Sequence, residues 1–113
     1  MARLTGDVTI GEVTHRITDG TLRIRLIDVS RADAAAVVIA EKTIPGLTIE
    51  PGDESITFDL DIPMLEPRST YAIEAHLDAD GSGETSVGDY RTMEHIAVTP
   101  GATDISVPIR PVG

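Results

Sequence analysis

The stretch Leu77–Tyr90, LDADGSGETSVGDY, gathers Asp78, Asp80, Glu84 and Asp89 among three glycines and two serines and contains no Lys or Arg. In a twelve-position calcium loop, oxygen ligands fall at positions 1, 3, 5, 7, 9 and 12, and a glycine at 6 makes the sharp turn. With Asp78 at position 1, Asp80 takes 3, Ser82 takes 5, the carbonyl of Glu84 takes 7, Ser86 takes 9 and Asp89 takes 12, with Gly83 at 6. Alternate residues of a tightly coiled loop point inward, so these donors converge, and hard oxygens suit Ca²⁺ better than softer metals. The pattern departs from the usual one in three ways. Position 12 is Asp89 where the pattern has Glu, position 8 is Thr85 where it has a large aliphatic residue, and the flanks read as strands where it has helices. The stretch therefore predicts one Ca²⁺ held in a loop between two strands. The alternative is a plain polar hairpin whose Asp-Gly and Ser-Gly pairs only supply turn conformations.

Other chemistry has thinner support. His15, His76 and His95 are scattered and none stands at the i, i+4 spacing of a helical zinc pair. His76 falls on the outward register of its strand beside Glu74 and reads as a solvated residue. Asp59 and Asp61 share a face, with Glu74 as a third carboxyl for a small hydrolase, but on an acidic surface such pairs serve solvation more often than catalysis. No Gly-x-Ser-x-Gly elbow or phosphate-binding glycine loop occurs, and Lys42 stands among polar neighbours. Arg23 and Arg25 also share a face, where pairing with acids of an adjacent strand is favoured over an anion site. No catalytic residue is expected.

Nineteen acidic against nine basic residues give a formal charge of −10, which repels nucleic acid and anionic lipid alike. The absence of Cys removes disulfides, thiolate nucleophiles and cysteine zinc sites together. A chain of 113 residues with 41% hydrophobic content is the size of a single domain spanning 1–113. With Phe58, Tyr71 and Tyr90 as its aromatics, its core must be built from Val, Ile, Leu and Ala. No apolar run reaches the roughly eighteen residues that span a bilayer. The opening MARLTGDVTI lacks a basic head followed by an apolar stretch, so no export signal is expected as written. A cell-envelope location is expected if the chain is a mature fragment whose leader has been removed.

The elements that must position these residues read as strands. Period-two alternation places Leu22, Ile24 and Leu26 on one face and Arg23 and Arg25 on the other. It recurs with Ile56, Phe58, Leu60 and Ile62, with Tyr71, Ile73, Ala75 and Leu77, and more loosely with Tyr90, Thr92, Ile96 and Val98. Ile105, Val107 and Ile109 form a further run in which Pro108 predicts an edge strand. Two more strands are expected over residues 3–11 and 36–44. Turn signals at Asp19-Gly20, Pro45-Gly46, Pro51-Gly52, Pro67, Asp80-Gly81 and Pro100-Gly101 separate the runs. SRADAAAVVIA is the one helix candidate, with Ser30 as cap, although its Val-Val-Ile favours a strand. The expected fold is all-β, a single antiparallel β-sandwich of about seven strands with immunoglobulin- or transthyretin-like architecture.

The order of segments LTGDVTI, LIDVSRADAAAVVIAEKTI (26–44), LEPRSTYAIEAHLDADG and GDYRT resembles the YbaY/YscW-like domain of bacterial envelope lipoproteins, over roughly residues 4–98. That family includes a pilotin-type chaperone for a secretion-system outer-membrane ring. The resemblance implies an all-β domain with a binding or assembly role and no catalysis. The family's leader and lipid-bearing cysteine are not expected in the sequence as written. Two functions are thus expected: a non-enzymatic binding module stabilised by calcium, or an envelope assembly chaperone that grips a protein partner through exposed strand edges. Oligomeric state is open.

Overall fold

The computed structural model describes residues 2–13, 15–30, 35–79, 89–93, 96–99 and 104–112. Where apolar and polar residues alternate, the chain is extended, and eight strands result. They are β1 (Ala2–Val13), β2 (Ile17–Asp28), β3 (Val37–Ile49), β4 (Gly52–Ile62), β5 (Tyr71–Asp78), β6 (Tyr90–Arg91), β7 (Ala97–Val98) and β8 (Asp104–Pro111). Leu22, Ile24 and Leu26 of β2 are fully buried, and Phe58, Leu60 and Ile62 of β4 and Tyr71, Ile73, Ala75 and Leu77 of β5 are buried with them. Each fully buried Leu or Ile contributes about 1.5–3 kcal/mol, so this alternation is the main force holding the strands in register. Among the described residues there is no helix. Of the candidate run at residues 30–40, residues 31–34 lie outside them, and Val37–Ala40 begin β3, as the Val-Val-Ile favoured. Ser30 donates its backbone N–H and its hydroxyl to the Asp28 carboxylate and accepts from the Thr70 N–H, which ties the end of β2 to the start of β5.

The structure is all-β as expected, the sandwich architecture is not confirmed, and the strands join in one sheet path in the order β3-β2-β5-β6-β8-β1-β4, with β7 also pairing β5. It curls into a nearly closed, barrel-like form. Strand β8 is the joint: Asp104–Ile109 pair with β1, and Arg110 and Pro111 pair with β6. The β1–β8 ladder is parallel, so the sheet is not wholly antiparallel. Pro108 therefore does not mark an edge of the sheet. It is tolerated because β8 is paired there only with β1, opposite Thr9, while the β6 pairing begins two residues later.

Two expected turns are bulges. Asp19 has φ 58° and Gly46 has φ 70°, yet both lie inside strands. The β2–β3 register gains one residue on β2 between Ile17 and Gly20, and one on β3 between Leu47 and Ile44, after which the original pairing resumes at Leu22. Paired bulges bend and twist a ladder without losing its register, and curvature of this kind lets a seven-strand path close on itself. Pro51-Gly52 does reverse the chain between β3 and β4, and Glu66–Ser69 forms a turn around Pro67, closed by Ser69 N–H to the Glu66 carbonyl at 3.1 Å.

Gly6 marks the closest approach in the barrel. By its place between Leu4 and Val8 it faces the core, and a Cβ there would lie 2.3 Å from the Ile105 carbonyl oxygen and 3.1 Å from the Phe58 ring. The missing side chain lets β8 pair with β1 and lets the single Phe cover the gap.

Candidate functional site

The β2–β5 ladder sets Arg23 opposite His76 and Arg25 opposite Glu74, and the β5–β6 ladder sets His76 opposite Arg91. All five point away from the core, because Ile24, Ala75 and Tyr90 beside them are buried. With Thr92 they line a pocket of about 160 Å³ on the outer wall. Guanidiniums facing one another across a sheet repel, so their placement needs carboxylates, and the structure supplies them. Arg25 pairs with Glu41 of β3 and with Glu74 at 3.9 Å, while Arg23 reaches Asp78 Oδ2 at 3.4 Å. The expected cross-strand ion pairs of Arg23 and Arg25 are thus observed.

His76 is not the solvated residue its register suggested. Its Nε2 lies 2.9 Å from Asp89 Oδ2, and its side chain is 20% exposed against 0% for Asp89. An acceptor carboxylate requires that Nε2 carry the proton. Asp89 also accepts the Ala79 N–H at 2.9 Å through Oδ1, and its carbonyl accepts the Val112 N–H at 2.9 Å. Asp78 and Asp89 are both fully buried. They sit at the two ends of the candidate calcium stretch and are engaged there by an arginine, an imidazole and a backbone amide. The other four donors, Asp80, Ser82, Glu84 and Ser86, lie outside the described residues. Among the described residues no three His, Cys, Asp or Glu side chains form a metal-holding group.

Of the carboxylates considered for hydrolysis, Asp59 and Asp61 share Arg3 as an ion-pair partner, and Glu74 is not brought to them. Asp59 receives Lys42 Nζ at 2.6 Å, Asp61 receives Arg3 Nε at 3.4 Å, and Glu74 lies on β5, a strand that shares no ladder with β4. Lys42, which reads as isolated, is an ion-pair partner. Its hydrogen bond and charge, and then the charge of Arg3, hold the Asp59 carboxyl below its ordinary value of 3.8. His15 is exposed, and His95 lies outside the described residues.

A second opening, of about 330 Å³, adjoins the pocket and shares Glu74, Arg91 and Thr92 with it. Its apolar wall includes Ile27, Val29, Met93 and Ile96. It lies beside β5 between β6 and β7, where the Thr92 N–H donates to the Ala75 carbonyl at 3.1 Å and the Ile96 carbonyl accepts the Ile73 N–H at 3.0 Å. Sequence reasoning missed this site because the outward parity of Arg91 becomes informative only once Tyr90 is known to be buried and paired with Leu77.

The family described as type III secretion system lipoprotein chaperone (YscW) matches residues 1–105. The chain belongs to the YscW family. No curated protein matches it. Its fold is similar to that of an alternative pilotin from the type II secretion system of Vibrio cholerae, with a TM-score of 0.73 and 22% identity over 99% of this chain and 97% of the other. In this YscW-family chain the segment LIDVSRADAAAVVIAEKTI runs from β2 into β3, and the Tyr71 segment is β5, the strand that carries His76. The Tyr71 segment thus supplies Glu74, Ala75 and His76 to the pocket wall. Tyr71 also fixes the entry to that wall, since its hydroxyl accepts the Glu66 N–H at 3.0 Å.

Proposed function

We propose that this chain is a non-enzymatic assembly chaperone of the bacterial envelope that holds a protein partner of an outer-membrane secretion ring. Membership of a lipoprotein chaperone family supports the envelope location and the chaperone role. The observation that carries the protein-binding part is the open seam of the sheet. Among the described residues, strands β3 and β4, of 13 and 11 residues, are its two ends, one turn apart in sequence, and no ladder joins them. Long edges with free backbone groups are templates for an added strand, and soluble proteins usually cover or shorten them. Here the Lys42–Asp59 ion pair spans the seam without closing the backbone ladder. A partner strand laid against either edge would gain main-chain hydrogen bonds, the usual chemistry of strand addition.

The test is photo-crosslinking in the native host from residues placed at Thr43 on β3 and Ser55 on β4, both exposed, with exposed Met64 outside the strands as control. Adducts with an outer-membrane ring subunit from the seam positions and none from Met64 are expected. Absence of that adduct from both seam positions would overturn the reading.

A further inference from the structure

The pocket wall continues beyond the pocket. The β6–β8 ladder sets Arg91 opposite Arg110, so Arg23, His76, Arg91 and Arg110 form one row across four adjacent strands. At a strand spacing of about 4.8 Å the row is roughly 14 Å long. With Arg25 one rung away, four of the nine basic residues of a chain of net charge −10 stand on this one patch. Asp78 and Asp89, which hold Arg23 and His76 at one end of the row, are themselves fully buried. Arg91 and Arg110 are exposed, and neither makes an ion pair among the described residues. Like charges on adjacent strands are unfavourable, and two exposed guanidiniums directly opposite one another call for an anion from outside the molecule.

We propose that this outer face of β2, β5, β6 and β8 docks an acidic, partly apolar peptide segment of a protein partner. Arg91 and Arg110 receive its carboxylates, with Arg23 and His76 as the fixed wall of the site. The adjoining groove of Ile27, Met93 and Ile96 receives its apolar side chains. Two features favour peptide over nucleic acid. A phosphate backbone would extend past this short row onto a strongly acidic surface, and the groove offers apolar side chains where a nucleic acid presents charge. Guanidinium is also the group best suited to bidentate carboxylate recognition. The inference rests on the chaperone reading for the existence of a partner, and it adds the partner's chemistry.

The probes are a fluorescent peptide of alternating Glu and Leu, its Lys and Leu counterpart, and a single-stranded DNA, each titrated by anisotropy into the full chain, with amide shifts recorded by NMR. The Glu peptide is expected to bind and to shift resonances around Arg91, Thr92 and Arg110, while the Lys peptide and DNA do not bind. Arg91→Glu with Arg110→Glu is expected to weaken Glu-peptide binding by roughly tenfold or more. The amide spectrum should stay folded, because neither arginine has an internal ion-pair partner to lose among the described residues. No binding of the Glu peptide, equal binding by the double variant, or displacement of the peptide by DNA would each overturn the proposal. Such a failure is distinguishable from failure of the chaperone reading, because the seam crosslinks and ring assembly are measured in cells with the native partner.

Discussion

Lys42 of β3 and Asp59 of β4 lie 2.6 Å apart, and their ion pair bridges the two terminal strands of the sheet. It does by side chains what a ladder would otherwise do by backbone, leaving the edges themselves available. Both groups are partly exposed, so the contact closes the barrel weakly and is open to competition from a partner strand.

The pH dependence of that closure follows from the lowered Asp59 carboxyl. A carboxyl whose value is depressed on folding adds stability that is complete above its ordinary 3.8 and is lost as pH falls through the depressed value. The melting-temperature difference between the wild type and Asp59→Asn should be constant near neutrality and shrink in acid below 3.8. A difference that stays unchanged throughout the acid range would refute the assignment.

Gly6 is required by the close approach of β8. Gly6→Ala places a methyl against the Ile105 carbonyl, which is backbone and cannot rotate away. Overpacking of this kind costs about 1–3 kcal/mol. Urea denaturation should show that loss, whereas Gly20→Ala, whose added carbon would meet only side chains within 3.5 Å, should cost less.

Asp89 anchors the imidazole and a backbone amide from a fully buried position. Asp89→Ala leaves donors without acceptors and is expected to cost about 2–4 kcal/mol in urea denaturation. Asp89→Asn should cost less, since its amide oxygen can still accept the Ala79 N–H and the imidazole can change tautomer.

Calcium binding, read from the spacing of oxygen donors at 78–89, is tested most cleanly away from the buried pair. Millimolar calcium should raise the melting temperature, and Asp80→Ala with Ser82→Ala, which remove two of the proposed side-chain ligands, should abolish the rise. Asp78→Ala is a poor probe because it also strips Arg23 of its partner. No shift in the wild type would rule the site out.

The inward faces of β2, β4 and β5 were legible because burial imposes a period of two on residues such as Leu22, Phe58 and Leu77. Closure was not. Asp19-Gly20 and Pro45-Gly46 carry the chemistry of turns, and a bulge uses the same positive φ, so local residues cannot separate reversal from bending. Gly6 and Pro108 have meaning only against strands distant in sequence, Ile105 on one side and Thr9 on the other. The basic row was hidden for the same reason: Arg23, His76, Arg91 and Arg110 are separated along the chain and become neighbours only through three ladders.

Help with assembly of an envelope ring is measured directly by the amount of detergent-resistant ring multimer in the native host with and without the gene for this chain. Multimer should be lost on deletion and restored by the wild-type gene. Unchanged multimer in the deletion strain would contradict it.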